Sequence, residues 1–246
     1  MGLELAVSMA DAAPSRTVPV ITLDGLSGSG KSTLARRLAA ALGWSYLDSG
    51  AWYRALTWAV LDQQADPTQE AACLDTLSHL TLNAKPGGEV LANGKPLGLA
   101  LRTPAIDAAV SQVANHLAVR HELTQRMRAL LDQEQVFGLV ADGRDAGSVI
   151  FPDAALQVFV EVPLKVRAAR RYEQYQQSGT EVTLHDIEQA LAERDTCDLA
   201  RGDAAPRITA RGRELKNQQH VEEAVGVLLS WAKELGFTPQ PTRETS

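Results

Sequence analysis

The stretch GLSGSGKST, residues 25–33, constrains this chain more than any other part of it. It lies directly after the apolar run VPVITLD and opens STLARRLAAALG, in which Leu34, Leu38 and Leu42 share one helical face and Gly43 is a stop signal. A strand, a glycine-rich turn and an amphipathic helix satisfy G-x-x-x-x-G-K-[ST] through Gly25, Gly30, Lys31 and Ser32. Glycines let successive backbone N–H groups turn inward as an anion nest, where a Cβ would clash. The helix beginning near Lys31 adds the positive end of its dipole to the same focus. Lys31 then reaches the β- and γ-phosphates of a nucleoside triphosphate as a point charge, and the Ser32 hydroxyl is placed to ligate Mg²⁺.

Beyond the loop, strand and helix go on alternating. WSYLDSG reads as a short second strand and AWYRALTWAVLDQQ as a helix, the order expected of a parallel sheet. After residue 65 the pattern changes: Pro86-Gly87-Gly88 and Asn93-Gly94 punctuate short alternating segments, which predicts a small antiparallel meander. A helical stretch, PAIDAAVSQVANHLAVRHELTQRMRALLDQ, leads back to two buried-strand runs, FGLVADG and LQVFVEV. An arginine-bearing helix, PLKVRAARRYEQYQQSG, comes next. Another starts at a Thr183 cap with Asp186 three positions on, and HVEEAVGVLLSWAKELG makes the last. The expected class is α/β, a P-loop core with a parallel sheet flanked by helices. Its expected division is a tail (1–17), core (18–64), β-containing insert (65–118), core (119–162), helical lid (163–182), core (183–237) and tail (238–246).

The 246 residues suffice for one large domain with an inserted lobe, and a net charge of −6 argues against a polyanion-binding surface. Cys73 and Cys197 fit no metal-ligand spacing and are expected to be reduced, structural thiols of a cytoplasmic protein. No run approaches a membrane span, and the N-terminal segment lacks the basic flank of a signal peptide. Trp44, Trp52 and Trp58 are expected in the core, and the five histidines carry no ligand pattern.

A P-loop fixes neither the reaction nor the second substrate; the other arginines discriminate. Transfer of a phosphoryl group onto a nucleotide monophosphate brings several anionic oxygens together, which requires cations from separate segments. Arg54 comes after DSGAWY, Arg144 lies in ADGRD, Arg167, Arg170 and Arg171 cluster in one helix, and Arg194 and Arg201 bracket ERDTCDLAR. Arg167 and Arg171, four apart, read as lid side chains that stabilise the transferring phosphoryl, against the alternative of a solvated helix face; Arg170 reads as surface. Asp142, ending its strand, reads as a carboxylate near the metal, against the alternative of a turn aspartate.

GLSGSGKSTLARRLAAALGWSYLDSGAWYRALTWAVL, LRTPAIDAAVSQVANHLAVR, GLVADGRDAGSVIFPDA and ERDTCDLAR, in this order, resemble the bacterial cytidylate kinases from about residue 18 to about 206. The resemblance implies transfer of phosphoryl from ATP to CMP or dCMP with Mg²⁺, on a monomeric nucleoside monophosphate kinase fold. It places ATP on Gly25, Leu26, Ser27, Gly28, Ser29, Gly30, Lys31, Ser32 and Thr33. It places the CMP phosphate near Ser49 and Arg54, the cytosine near Ser111 and Arg120, and further CMP contacts at Arg144, Asp145, Arg194, Asp198 and Arg201. Together with the P-loop and lid readings above, it makes Lys31, Arg144, Arg167, Arg171, Arg194 and Arg201 the catalytic set, with Ser32 and Asp142 the metal-proximal pair, Asp142 directly or through a water. Chemistry supports the base: a carboxylate such as Asp145 accepts from cytosine's N4 amino group, whereas uracil presents an acceptor there.

The sequence departs from that pattern near its end. PRITARGRELKNQQHVEEAV replaces the family's apolar strand and its LDT/LDS segment, so the phosphate-donor preference is left open, and RIT is the candidate edge strand. Two rival functions stay in view: a P-loop kinase of another small acceptor, and a nucleotide-binding regulator with reduced catalysis.

Overall fold

The computed structural model describes residues 17–177, 181–218 and 220–238. Most of both expected tails, and three residues of the expected lid, lie outside that set.

Five parallel strands form the central sheet: β1 (Val20–Asp24), β2 (Ser45–Asp48), β6 (Leu139–Gly143), β7 (Leu156–Glu161) and β8 (Arg213–Lys216). Their spatial order is β2-β6-β1-β7-β8. The apolar run that announced β1 has a physical reason, for β1 is the central strand and buried along its whole length. Its side chains alternate. Ile21 and Leu23 pack with Leu34, Leu38 and Leu42 of α1 (Lys31–Leu42) and Leu228 of α8 (Val221–Glu234). Val20 belongs to the opposite layer, with Leu47, Trp52, Leu56, Val113 and Leu123. That layer is built by α2 (Ser49–Asp62), α3 (Glu70–Ser78), α4 (Pro104–Asn115) and α5 (Leu117–Arg128). Trp52 is fully buried, and Trp44 and Trp58 are partly buried against these cores.

Between α3 and α4 the chain makes a three-stranded antiparallel sheet, β3 (Leu82–Ala84), β4 (Val90–Ala92) and β5 (Lys95–Pro96). Asn93 and Gly94 close its tight turn with positive φ, 49° and 77°, as a two-residue hairpin requires. The two remaining helices, α6 (Leu164–Gln177) and α7 (Leu184–Leu199), pack together through Ala168, Ile187 and Leu191. Thr183 caps α7, accepting from the Asp186 N–H at 3.1 Å.

Two sequence expectations are corrected. The long helical stretch after the insert is two helices, because His116 takes an extended conformation (ψ 118°) and the Ala118 N–H donates to Glu70 Oε1 of α3 at 2.8 Å. The edge strand is RELK, not RIT: Val158 to Glu161 of β7 pair in register with Arg213 to Lys216. Only Leu215 of that strand is buried, so backbone pairing makes the strand and its charged side chains protect the edge. Among the described residues no helix is long and apolar enough to cross a membrane.

Candidate active site

The carboxyl ends of β1 and β6 lie side by side, with Leu23 opposite Asp142 and Asp24 opposite Gly143, and each strand delivers its next residues into one cleft. From β1 comes the P-loop. Gly30 sits at φ 81°, and a Cβ there would come within 2.8 Å of Asn217 Nδ2, so the position excludes any side chain twice over. Asn217, just past β8, donates from that nitrogen to Ser29 O at 2.8 Å and so braces the loop from outside. Lys31 opens α1, buried, with Nζ 3.3 Å from Leu26 O. Burial, reinforced by the Arg144 charge, holds its amine well below the usual lysine range. A buried, weakly satisfied ammonium at the mouth of an N–H nest is matched by a phosphate chain.

From β6 comes Asp142. Its carboxylate accepts from Ser32 Oγ at 2.7 Å and from Tyr46 OH at 2.6 Å, while Ser49 Oγ donates to its main-chain oxygen at 2.8 Å. Burial, with the neighbouring Asp48 charge, raises its carboxyl above the normal range. A hydroxyl and a carboxylate meeting beside a phosphate nest are hard oxygen donors of the kind Mg²⁺ takes, so the donor set fits that ion. Ser49 is buried, with its hydroxyl bonded to the backbone of β6.

Beyond β6 the arginines gather. Arg144 Nε donates to Asp198 Oδ2 at 2.7 Å, and Arg201 meets Asp198 Oδ1 at 2.8 Å while its Nε donates to Asn115 Oδ1 at 3.0 Å. Burial works to raise the Asp198 carboxyl, but Arg144, Arg201 and Arg194 outweigh it and hold it below its ordinary value. Arg194 is different: its Nε is buried and has no hydrogen-bond partner among the described residues. Burial, then repulsion from Arg144, brings its pKa down to about 10. Arg54 is within reach of the same field and is tied by Leu101 O at 3.1 Å and Asp107 Oδ1 at 2.6 Å.

Next to this cluster Arg120 and Asp145 form a close ion pair, and Arg120 also donates to Ala114 O at 3.1 Å. Burial raises the Asp145 carboxyl even though Arg120 opposes it. Ser111 lies half-buried on α4, the helix whose carbonyl Arg120 uses. Tyr53 completes the wall: its ring lies 5.6 Å from the Arg120 guanidinium and its buried hydroxyl has no partner among the described residues.

The lid arginines separate. Arg167, expected to face the transferring phosphoryl, is 2% exposed and its donors go to Val162 O, Ser27 O and Asp195. Arg171 is half-buried, 5.5 Å from the Tyr175 ring. Arg170, expected on the surface, donates instead to Asn217 O at 2.9 Å, which ties α6 to the brace of the P-loop.

Sequence reasoning missed Asp24, Tyr46, Tyr53, Asp195 and Asn217. Asp24 had the clearest signal, a carboxylate ending an otherwise apolar strand. It accepts from the Ala146 and Gly147 N–H groups, both at 2.7 Å, and so clamps the tight π-type turn (Ala146–Ile150) directly after Asp145. Burial raises its pKa to about 7. Folded protein therefore binds more protons than unfolded chain between about pH 4 and 7, and this group's contribution to stability falls as pH rises through that window. Urea unfolding at both ends of the window is expected to give a shallower fall for Asp24→Asn than for the parent. Part of the slope remains, because Asp142 and Asp145 are raised as well.

The sequence matches the cytidylate kinase family over residues 21–213. The chain belongs to that family. The cytidylate kinase of Burkholderia pseudomallei K96243 is 38% identical over 224 residues, covering 91% of this chain and 96% of its own. The cytidylate kinase of Pseudomonas syringae pv. tomato is 43% identical over 188 residues, covering 74% and 81%. A bifunctional pantoate ligase/cytidylate kinase of Parasynechococcus marenigrum is 42% identical over 192 residues, which are 76% of this chain but 38% of that longer protein. The P-loop, the Ser32–Asp142 contact and the Arg144–Asp198–Arg201 cluster all lie within the matched residues.

Proposed function

We propose that the protein transfers the γ-phosphoryl group of ATP to CMP and dCMP, giving ADP with CDP or dCDP, as a monomer acting on free nucleotides in the cytoplasm. The observation that carries the reading is the part-buried Arg120–Asp145 pair standing beside the Arg144–Asp198–Arg201 cluster. It sets a base-reading carboxylate next to a phosphate-binding field. The donor's phosphates lie in the N–H nest of residues 25–33, with Lys31 bridging its β- and γ-oxygens. Ser32 and Asp142 would hold Mg²⁺, which would supply charge neutralisation of the phosphate oxygens. Arg54, Arg144 and Arg201 orient the CMP phosphate, and Arg194 and Arg171 meet charge that develops on the group in flight.

One phosphate oxygen of CMP attacks the γ-phosphorus in line. The P–O bond to the β-phosphate breaks, and its electron pair stays on ADP. No side chain needs to take a proton, since the attacking phosphate is already anionic; position and countercharge do the catalysis. Asp198 holds the acceptor's ribose, and Asp145, Arg120 and Ser111 read its base.

A coupled ADP-release assay across CMP, dCMP, UMP and AMP tests this. Turnover is expected with CMP and dCMP, with UMP much poorer; activity confined to AMP would overturn the substrate assignment.

A further inference from the structure

Arg167 and Asp195 form a buried, two-point ion pair behind the P-loop. Arg167 Nη2 lies 2.5 Å from Asp195 Oδ2 and Nη1 lies 3.1 Å from Oδ1, a two-point fork. The same Nη1 donates to Ser27 O of the P-loop at 2.9 Å, and Nε donates to Val162 O, just past β7, at 3.0 Å. A Cβ on Gly28 would sit 3.5 Å from Arg167 Cβ, so the loop rests directly on this stem. Asp195 is 8% exposed. The guanidinium therefore joins the donor loop, the end of the central sheet and α7 at one point.

On α7, residues 187, 191 and 195 turn toward α6 and the P-loop. Arg194 and Asp198 on the adjoining face, with Arg201 just past the helix end, carry the acceptor-side charges. Whatever fixes Asp195 against the P-loop also fixes how far Arg194, Asp198 and Arg201 stand from the donor phosphates. We propose that the Arg167–Asp195 pair is a positioning device that sets the separation of the ATP and CMP sites, and that Arg167 touches neither substrate. A guanidinium suits the task because its planar fork holds direction as well as distance, which a lysine ammonium does not. In-line transfer is sensitive to displacement on the ångström scale, so loosening this joint lowers turnover with little loss in binding of either nucleotide.

The inference rests on phosphoryl transfer from ATP to CMP. The test pairs Asp195→Asn, which keeps shape and removes charge, with Arg167→Met/Asp195→Leu, which removes the pair without leaving a lone buried charge. Binding is measured for CMP, for a non-hydrolysable ATP analogue, and for a bisubstrate analogue joining cytidine and adenosine through five phosphates. For Asp195→Asn each separate nucleotide is expected to weaken by no more than about twofold and the bisubstrate analogue by about thirtyfold, because only the latter reads the spacing. The double variant is expected to regain the parent's melting temperature while kcat stays at least about tenfold down. A bisubstrate loss equal to the product of the separate losses overturns the proposal. So does a double variant that recovers kcat along with stability, since the pair is then structural only. Should the double variant not fold, the binding comparison on Asp195→Asn decides alone. An inactive parent protein is a different failure, that of the phosphoryl-transfer reading itself.

Discussion

Replacing Lys31 by methionine is expected to lower kcat by about three orders of magnitude, ~4 kcal/mol of transition-state stabilisation, while the protein folds as before. The size comes from where the amine sits. Lys31 is buried at the start of α1 with, among the described residues, one long contact to Leu26 O, so its charge is poorly satisfied until phosphate oxygens arrive. Burial and the Arg144 charge depress its pKa in the free protein, and bound ATP, with its negative charge, raises it again. Between those two values binding must take up a proton, and ATP affinity falls as pH climbs through the window. Calorimetry at about pH 8 in buffers of different ionisation enthalpy should record that uptake in the parent and none for Lys31→Met. Methionine keeps the stem's apolar volume and removes an ammonium that was costly to bury, so the melting temperature should not fall. A variant that turns over CMP at near-parental kcat would remove Lys31 from the mechanism.

The P-loop core was legible because its signals are local. The strand, the glycines, the lysine and the apolar face of α1 are contiguous, and each is demanded by the backbone conformation or the sheet it packs on. Arg144, Asp198 and Arg201 were legible as members of short motifs, and the structure brings those three into one network. The features that escaped depend on partners distant in sequence. Arg167 reads as a lid cation in a polar helix, and it is Asp195, 28 residues on, with the carbonyls of Ser27 and Val162, that takes up its donors. β8 escaped for a related reason: RELK has no apolar alternation, and it becomes a strand because β7 offers an unpaired edge. His116 breaks a helix that periodicity alone would continue, since Ala118 finds Glu70 across a contact 48 residues long. The turn after Asp145 is a fourth case, set by Asp24 from 122 residues upstream.

That turn bears on the largest specificity effect to be expected, for Asp145→Asn. The variant is predicted to cut the ratio of kcat/KM for CMP over UMP by about a hundredfold, through loss of CMP and gain of UMP together. Asp145 is acceptor-only when ionised, and an acceptor there rewards cytosine's N4 amino group and penalises uracil's O4. An asparagine amide offers either a donor or an acceptor to the base and so cancels the preference. It also releases Arg120 from its ion pair, and a freed guanidinium donates to O4, which favours UMP further. Asparagine keeps the shape of the side chain, and the main-chain oxygen of residue 145 still receives the Val149 N–H at 2.8 Å, so the turn should hold. On this reading UMP is the poorer substrate of the parent because its O4 would leave a buried carboxylate facing a like acceptor. Steady-state kinetics with both monophosphates decides the matter. An unchanged ratio would mean that the base is read elsewhere in the site, and Tyr53, whose buried hydroxyl has no partner among the described residues, is then the residue to replace next.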